Sequence, residues 1–561
     1  MTAMRMCHAA WLAVLLSAAL VAGAQAVQDG TIRVTTRLVE VSVVVQDKNG
    51  PVAGLTKGDF TVLDNGKAQR IDVFSSSDVR SLKQPRLGNV PRGVVSNLMT
   101  AAGEVPDRAT VILFDMMNSS NDGQNRDATA GDPAKPPVAV RGIAQPTANI
   151  GVMGNTTNDL TAIKDKNDAI KQLVSYLKTI REGDRVALFV LDHRLRVIQD
   201  FTGDSNVLFR AAERLKALDL AGVEVTSQAQ LFSLLEPPAD PFTGGFIGTP
   251  TFADGMAITS AINRATATAD AFEAIARHMS GLPGRKNLVW MSAGFPFKPV
   301  VSQRILGVQA QAPVETPDDF SSQLTRASKA LNDAGVAIYP VDYQGLNGSY
   351  PEVMMRLAYA TGGSVSYHTN DLSGAVSTAV ADADVSYTLG FYSTDEKYDG
   401  RLHDLKVKVD RKDVDLRYRS GYYSARKTIS EKQRKEIVGQ LLASEVNASQ
   451  IGLAVSGDRD PAIPGSYKVT ISVDAANLDL TQNGDRRTGQ LSLTMRLEAS
   501  KSNNAQAGAV PLNFSEEQFR NVLNRGFVIR QTVAARPGDR LRIIVQDQST
   551  GLAGSVWLPL Q

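Results

Sequence analysis

Cysteine is almost missing from these 561 residues: the single one, Cys7, precedes the apolar core of the N-terminal segment, where it is badly placed to carry a lipid anchor. Beyond that segment there is no thiol, which excludes disulfides, a thiolate nucleophile and a thiolate metal site. A chain of this kind relies on ordinary core burial, and its length and 43% hydrophobic content are ample for that. Histidine is scarce as well. After residue 26 only His193, His278, His368 and His403 occur, and no two of them have the spacing of zinc ligands. An excess of one charge is also lacking. With 60 basic and 58 acidic residues the chain excludes the strongly basic profile of a nucleic-acid binder. No segment after the N-terminus reaches the roughly 18 unbroken apolar residues of a membrane span. The nucleophile elbow of a hydrolase is incomplete, because Trp290 stands where a glycine must precede Ser292. "ATGGS" (360–364) is too short for a phosphate loop, and Gly362-Gly363 read as a helix-to-strand turn.

What is present begins with "MTAMRMCHAAWLAVLLSAALVAGAQA". One positive charge at Arg5, an apolar core of roughly 15 residues and the small-x-small site Ala24-Gln25-Ala26 predict a signal peptide over 1–26. Export to the periplasm, the outer surface or the medium follows. The alternative, a retained anchor, has a short apolar stretch against it.

The rest divides by pattern. Residues 27–80 alternate and are rich in Val and Thr, with turn signals at Asn49-Gly50 and Asn65-Gly66, and predict a small antiparallel β-sandwich. Its β-rich part, residues 31–76, is about 45 residues, which makes a marginal sandwich, so the β hairpins of 385–423 are expected to complete it, with the intervening domain inserted between two parts of one β domain. Residues 81–107, with Pro85, Pro91 and Pro106, read as a linker. From 108 to 384 apolar strands ("TVILFD", "RVALFVLD", "KNLVWMSAG", "VAIYPVD") alternate with helical patterns, and Asp204 and Asp371 sit at expected N-caps. This is the signature of an α/β fold, a doubly wound, mostly parallel sheet. Two long loops, 119–158 and 222–252, fall where ligands gather, at the carboxyl edge of such a sheet. A polar helix or linker (424–449) and a second β-sandwich (450–561) complete the chain.

The segments "VVVQDKNGPVAGLTKGDFTVLDNGKAQRIDVF", "VILFDMMNSS", "DRVALFVLDHRLRVIQDFTGD", "GLPGRKNLVWMSAGFP", "AGVAIYPVDYQGL", "LAYATGGSVSYHTNDL" and "SYTLGFYS" occur in order over residues 31–423. In this set the chain resembles the secreted von Willebrand factor A (VWFA)-related proteins of acidobacteria. The resemblance implies a Rossmann-type sheet of six or so strands, no enzymatic activity, and binding of protein partners, often through a metal ion at the top of the sheet. The family's metal pattern is Asp-x-Ser-x-Ser after the first strand, a loop Thr, and an Asp after the fourth central strand.

Here Asp115 and Ser119 match the first and last positions of that pattern. The middle hydroxyl is replaced by Met117, whose thioether is a soft ligand that Mg²⁺ does not favour. Asn118 offers an amide oxygen out of register. Thr226 in "GVEVTSQ" is the candidate loop ligand, ahead of Thr202 in "DFTGD", and Ala293 stands where the final Asp belongs. A single carboxylate with neutral oxygens would hold Mg²⁺ or Mn²⁺ weakly, so the site is expected to be a degenerate metal site. In that case Asp115 caps backbone N–H groups of the turn it begins, or a neighbouring helix N-terminus. "PGRK" (283–286) reads as a helix C-cap followed by cations at the helix's negative end. "DRDPA" (458–462) and "DNG" (64–66) read as turns. The expected function is non-enzymatic binding of a protein or cell-surface ligand through the loops above Asp115. The alternatives are a serine hydrolase using Ser292 and a histidine, and a structural spacer of the cell envelope.

Overall fold

The computed structural model of the chain describes residues 38–76, 93–98, 108–118, 156–181, 183–218, 252–282, 284–294, 300–305, 308–313, 321–344, 352–367, 369–393, 401–424, 429–498 and 505–561. The predicted signal peptide and nearly all of the loops 119–158 and 222–252 lie outside them.

The first β module begins with β1 (Leu38–Asp47), β2 (Gly50–Pro51), β3 (Phe60–Asp64), β4 (Lys67–Gln69) and β5 (Val73–Ser76). Period-two alternation aims Val39, Val41, Val43 and Val45 inward. Asn65 and Gly66, both at positive φ, turn β3 into β4. The remaining strands come from far along the chain: β14 (Tyr387–Tyr392), β15 (Leu402–Val409), β16 (Asp415–Arg417) and β17 (Gly421–Tyr423). β5 pairs with β14, β3 with β15 and β1 with β16, all antiparallel. The two sheets, β16-β1-β14-β5 and β17-β15-β3-β4, share a core of Val41, Val43, Phe60, Val62, Tyr387, Leu389, Phe391, Leu405 and Val407.

The segment read as a linker corrects that expectation in part. Val95–Ser96 form a strand, β6, that pairs with a strand of the C-terminal module, β18 (Leu453–Arg459). Asn97 fixes it: Nδ2 donates to Ala448 O (2.6 Å) and Ile451 O (2.8 Å), and Oδ1 accepts from Leu453 N (2.7 Å). Two residues are too short for an alternation signal, and neighbouring prolines hide them.

Between β5 and β14 lies an α/β fold: β7 (Arg108–Asp115), α1 (Thr156–Leu177), β8 (Asp184–Leu191), β9 (Leu195–Thr202), α2 (Ser205–Lys216), α3 (Phe252–Met279), β10 (Lys286–Ser292), a hairpin of β11 (Val300–Ile305) and β12 (Val308–Pro313), α4 (Ser321–Asp333), β13 (Val336–Asp342), α5 (Glu352–Thr361) and α6 (Leu372–Ala381). The sheet order is β13-β10-β7-β8-β9; the first four strands are parallel and β9 is antiparallel. Strands buried on both faces read as unbroken apolar runs, and every residue of β10 and β13 is buried. β9 reverses because the β8–β9 link is a tight turn, held by Asp192, which accepts from His193 N and Arg194 N, and no crossover fits in it. Apolar residues of α1, α2 and α6 pack on one face of the sheet, and those of α3, α4 and α5 on the other. Asp204 and Asp371 cap α2 and α6.

Polar groups join this domain to the first β module. Asp382, fully buried, accepts from Tyr339 OH (2.8 Å), Gln46 Nε2 (2.6 Å) and Arg417 Nη1 (2.7 Å). Arg285 is buried and donates to Tyr339 OH (2.8 Å) and to Gly362 O (2.6 Å), at the C-terminal end of α5 rather than of the helix that precedes it in sequence. Lys286 Nζ donates to Leu282 O, three residues past α3, and burial pushes its ammonium down to about 8. Gly362 has φ +78°, and a Cβ there would lie 2.5 Å from the Tyr418 carbonyl carbon, so the close approach of the modules requires glycine. Where the chain enters and leaves the α/β domain, Arg108 bonds Asp184 and Asp384, and Arg181 bonds Asp384 too.

The C-terminal module contains α7 (Glu431–Ala443), β18, β19 (Ser466–Val473), β20 (Thr481–Asn483), β21 (Arg486–Leu497), β22 (Gln506–Ser515), α8 (Glu516–Arg525), β23 (Phe527–Ala534), β24 (Arg540–Asp547) and β25 (Ala553–Pro559). Its sheets are β23-β19-β18-β6 and β20-β21-β24-β25, with β22 on β21, and their residues share one core. Among the described residues, no helix is long and apolar enough to cross a membrane.

Candidate functional site

Register brings three strand ends together. Met291 lies opposite Phe114 and Ser292 opposite Asp342, so Asp115, Ser292 and Asp342 end neighbouring parallel strands. Asp115 is fully buried. Its Oδ1 accepts from Met117 N (3.1 Å) and Asn118 N (3.0 Å), which makes it the cap of the turn that follows β7. Its Oδ2 accepts from Asn118 Nδ2 (2.7 Å), Trp290 Nε1 (3.0 Å) and Ser292 Oγ (2.9 Å). Asn118 Nδ2 also donates to Thr268 Oγ1 on α3 (3.1 Å), and Tyr343 OH donates to Asp115 O (3.4 Å). Burial pushes the Asp115 carboxyl above the usual carboxylate range, and the bonds from Asn118, Trp290 and Ser292 work against that rise. Burial, with Asp115, Asp342 and Asp165 nearby, holds the Tyr343 phenol well above its ordinary value.

Among the described residues this arrangement offers little to a hard divalent cation. An ionised carboxylate has about four lone-pair sites, and five donors of the chain already converge on Asp115. Met117 is buried and offers only sulfur, Ala293 is buried and offers no ligand, and the described residues contain no group of three or more His, Cys, Asp or Glu suited to a metal ion. Among the described residues Asn118 Oδ1 is an open acceptor, buried without a hydrogen-bond partner. Ser119 and Thr226 lie outside the described residues. Thr202 is described, and it is not a ligand candidate: it pairs with Val186 near the start of β8, while Asp115 pairs with Leu191 at the other end.

Ser292 is wholly buried, and its hydroxyl faces Asp115 Oδ2 and Gly294 O (2.7 Å). Among the described residues no histidine is bonded to it. His193 is exposed in the β8–β9 turn, His278 contacts Asp200 and Asn447, and His403 contacts Asp64 and Tyr422 in the first β module. His368 lies outside the described residues.

Trp290 escaped the sequence reading as a partner of Asp115. Its signal was available in two parts. Residues two apart on a strand share a face, so Trp290 looks the same way as Ser292. A buried indole N–H also needs an acceptor. Phe272 holds the ring edge-on at 5.2 Å.

No protein-family model matches the chain, and no curated protein matches it. Solved structures do match at low similarity. A von Willebrand factor type A protein from Catenulispora acidiphila is 10% identical with a TM-score of 0.24, over 87% of this chain and 72% of that one. The conserved hypothetical protein BatB from Bacteroides thetaiotaomicron is 11% identical with a TM-score of 0.20, over 49% of this chain and 98% of that one. The vWF domain of the type V pili tip protein Mfa5 from Porphyromonas gingivalis is 13% identical with a TM-score of 0.17, over 49% and 93%. These neighbours are von Willebrand factor A domain proteins.

Proposed function

We propose that the chain is an exported, non-enzymatic binding protein. In this reading its von Willebrand A-like domain, a doubly wound sheet set between two β-sandwiches, engages another protein or a cell-surface component through the face above Asp115. The metal site of the fold is closed in this reading. The observation that carries it is the saturation of Asp115 by Met117, Asn118, Trp290 and Ser292, which leaves recognition to side chains and loops rather than to a bound cation. Against the hydrolase reading, the Ser292 hydroxyl is turned to a carboxylate in the core and away from solvent, and no histidine among the described residues is bonded to it.

Two measurements test it. The first places a photoreactive side chain at His193, beside the carboxyl edge of the sheet, or at Lys178, exposed just before β8 at the opposite edge. Cross-linking in the native cell envelope should trap a partner from His193 and none from Lys178. Trapping from Lys178 alone overturns the assignment of the face, and trapping from neither favours the envelope spacer. The second is a calorimetric titration of Mg²⁺ and Mn²⁺ beside Asp115→Ala. No heat in either protein is the expected result; heat that disappears in the variant would reopen the metal site.

A further inference from the structure

His278, near the end of α3, stands where three parts of the chain meet. Its Nδ1 lies 2.8 Å from Asn447 O, in the segment between α7 and β18, and its Nε2 lies 3.1 Å from Asp200 Oδ1 on the edge strand β9. The ring is buried against Phe201 (5.8 Å) and Phe189 (5.7 Å). A backbone carbonyl and an ionised carboxylate only accept hydrogen bonds, and a neutral imidazole has one N–H to give. Both contacts are hydrogen bonds only when the ring carries two protons. From this geometry we propose that His278 is an acid-engaged latch, which ties the edge strand β9 to α3 and to the 444–450 segment when protonated and releases β9 when neutral.

The side that lets go follows from the surroundings. Asn447 is held in place: its Oδ1 accepts from Arg542 Nη1 (2.6 Å), Val446 before it is buried in the core of the α/β domain, and Ala448 N after it donates to Ser555 Oγ (2.9 Å). The Asp200 side chain is 54% exposed, so water can replace the imidazole there. The remaining proton therefore stays on Nδ1, and the bond to β9 is lost.

The other charged groups around the ring have partners of their own. Glu273 and Arg277 on α3 pair with each other, and Arg277 also donates to Gln440 on α7. Arg194 in the β8–β9 turn pairs with Glu445, and Arg542 on β24 serves Asn447. Burial opposes ionisation of Asp200, yet the bond and charge of His278 hold its carboxyl below the usual range. A depressed carboxyl contributes stability above its ordinary value and loses it as pH falls through the depressed one. At the upper end the contribution ends once the ring holds a single proton. Asp200 lies towards the far end of β9 from the β8–β9 turn, so the latch acts on the edge strand away from Asp115.

Hydrogen exchange of the β9 amides tests this, corrected for intrinsic rates, at about pH 5.5 and about pH 8. Protection of residues 196–201 should fall roughly tenfold on going to the higher pH, as expected for loss of one charged hydrogen bond, while the β10 amides stay level. Asp200→Asn, a substitution at a half-exposed side chain, should make β9 protection the same at both values. Equal protection in the parent protein at the two pH values overturns the latch, and so does a pH effect that survives Asp200→Asn.

Discussion

At Asp115 a buried carboxylate is balanced by hydrogen-bond donors of the chain itself, and the chemistry of the neighbourhood follows from that. Asp115→Asn conserves shape but turns an amide nitrogen towards Asn118 Nδ2 and Trp290 Nε1, so that donors face donors. Each buried donor left unpaired costs about 1–3 kcal/mol. The variant should unfold at clearly lower denaturant than the parent. An unchanged midpoint would mean that the bonds to Asp115 contribute nothing. The pH sign is the reverse of the usual carboxylate case. Because burial raises the Asp115 carboxyl, the folded state takes up a proton before the unfolded one as pH falls. Asp115 therefore adds to stability below that window and subtracts above it, and the substitution should remove this term from the pH profile of stability. The sequence marked Asp115 and Ser292 separately, one as a ligand and one as a nucleophile. Their contact was not legible, because it depends on the register that sets Met291 opposite Phe114.

Elements were legible where burial imposes a pattern and obscure where it does not. β7, β8, β10 and β13 are buried almost throughout, so their apolar runs stand out, and the intervening helices begin and end within a few residues of their amphipathic patterns. β9 is half-buried along its length, and neither it nor the β11–β12 hairpin shows a period that betrays it. α7 is legible as a helix, but not what fastens it. Its last carbonyls need partners, and these come from strands much later in the chain. Arg542 donates to Leu441 O (3.0 Å) and Val446 O (3.0 Å), Trp557 Nε1 to Ser444 O (3.4 Å), and Arg496 donates to Leu442 O. Cations at a helix C-terminus also oppose its dipole. Arg542 is wholly buried with its guanidinium 5.1 Å from the Trp557 ring, so Arg542→Met keeps much of the packing and removes the donors. We expect a loss of about 3 kcal/mol or more, read by thermal unfolding, with early exchange of the α7 amides. Trp557→Phe gives up one long bond and should cost much less. Equal losses from the two would show that packing, not capping, holds the helix.

Over the whole molecule the chain crosses between modules more often than its sequence suggests. It leaves the first β module after β5, lends β6 to the C-terminal module, forms the α/β domain, returns through β14–β17, and only then builds the rest of the C-terminal module. Each β module thus contains a piece contributed from a distance, and neither is a continuous stretch that can be cut out intact. A cut in a protease site introduced within 425–428 provides the test. The connection there is covalent, but β6 and Asn97 on one side and the 444–450 segment on the other cross the same boundary without it. Val446 is buried in the α/β core, and Ser449 Oγ donates to His278 O (2.6 Å). The two pieces of the cut protein should therefore co-elute in gel filtration. Asn97→Ala removes the donors to Ala448 O and Ile451 O and the acceptor of Leu453 N, all in a side chain that is 4% exposed. At about 1–3 kcal/mol for each buried group left unpaired, the substitution should weaken the association of the pieces by roughly 30-fold or more. In the uncut protein the same substitution costs stability but cannot separate the modules. If the cut parent protein separates at once, β6 lies on the C-terminal sheet without holding it. If the cut Asn97→Ala protein stays together as firmly as the parent, the 444–450 segment alone carries the attachment.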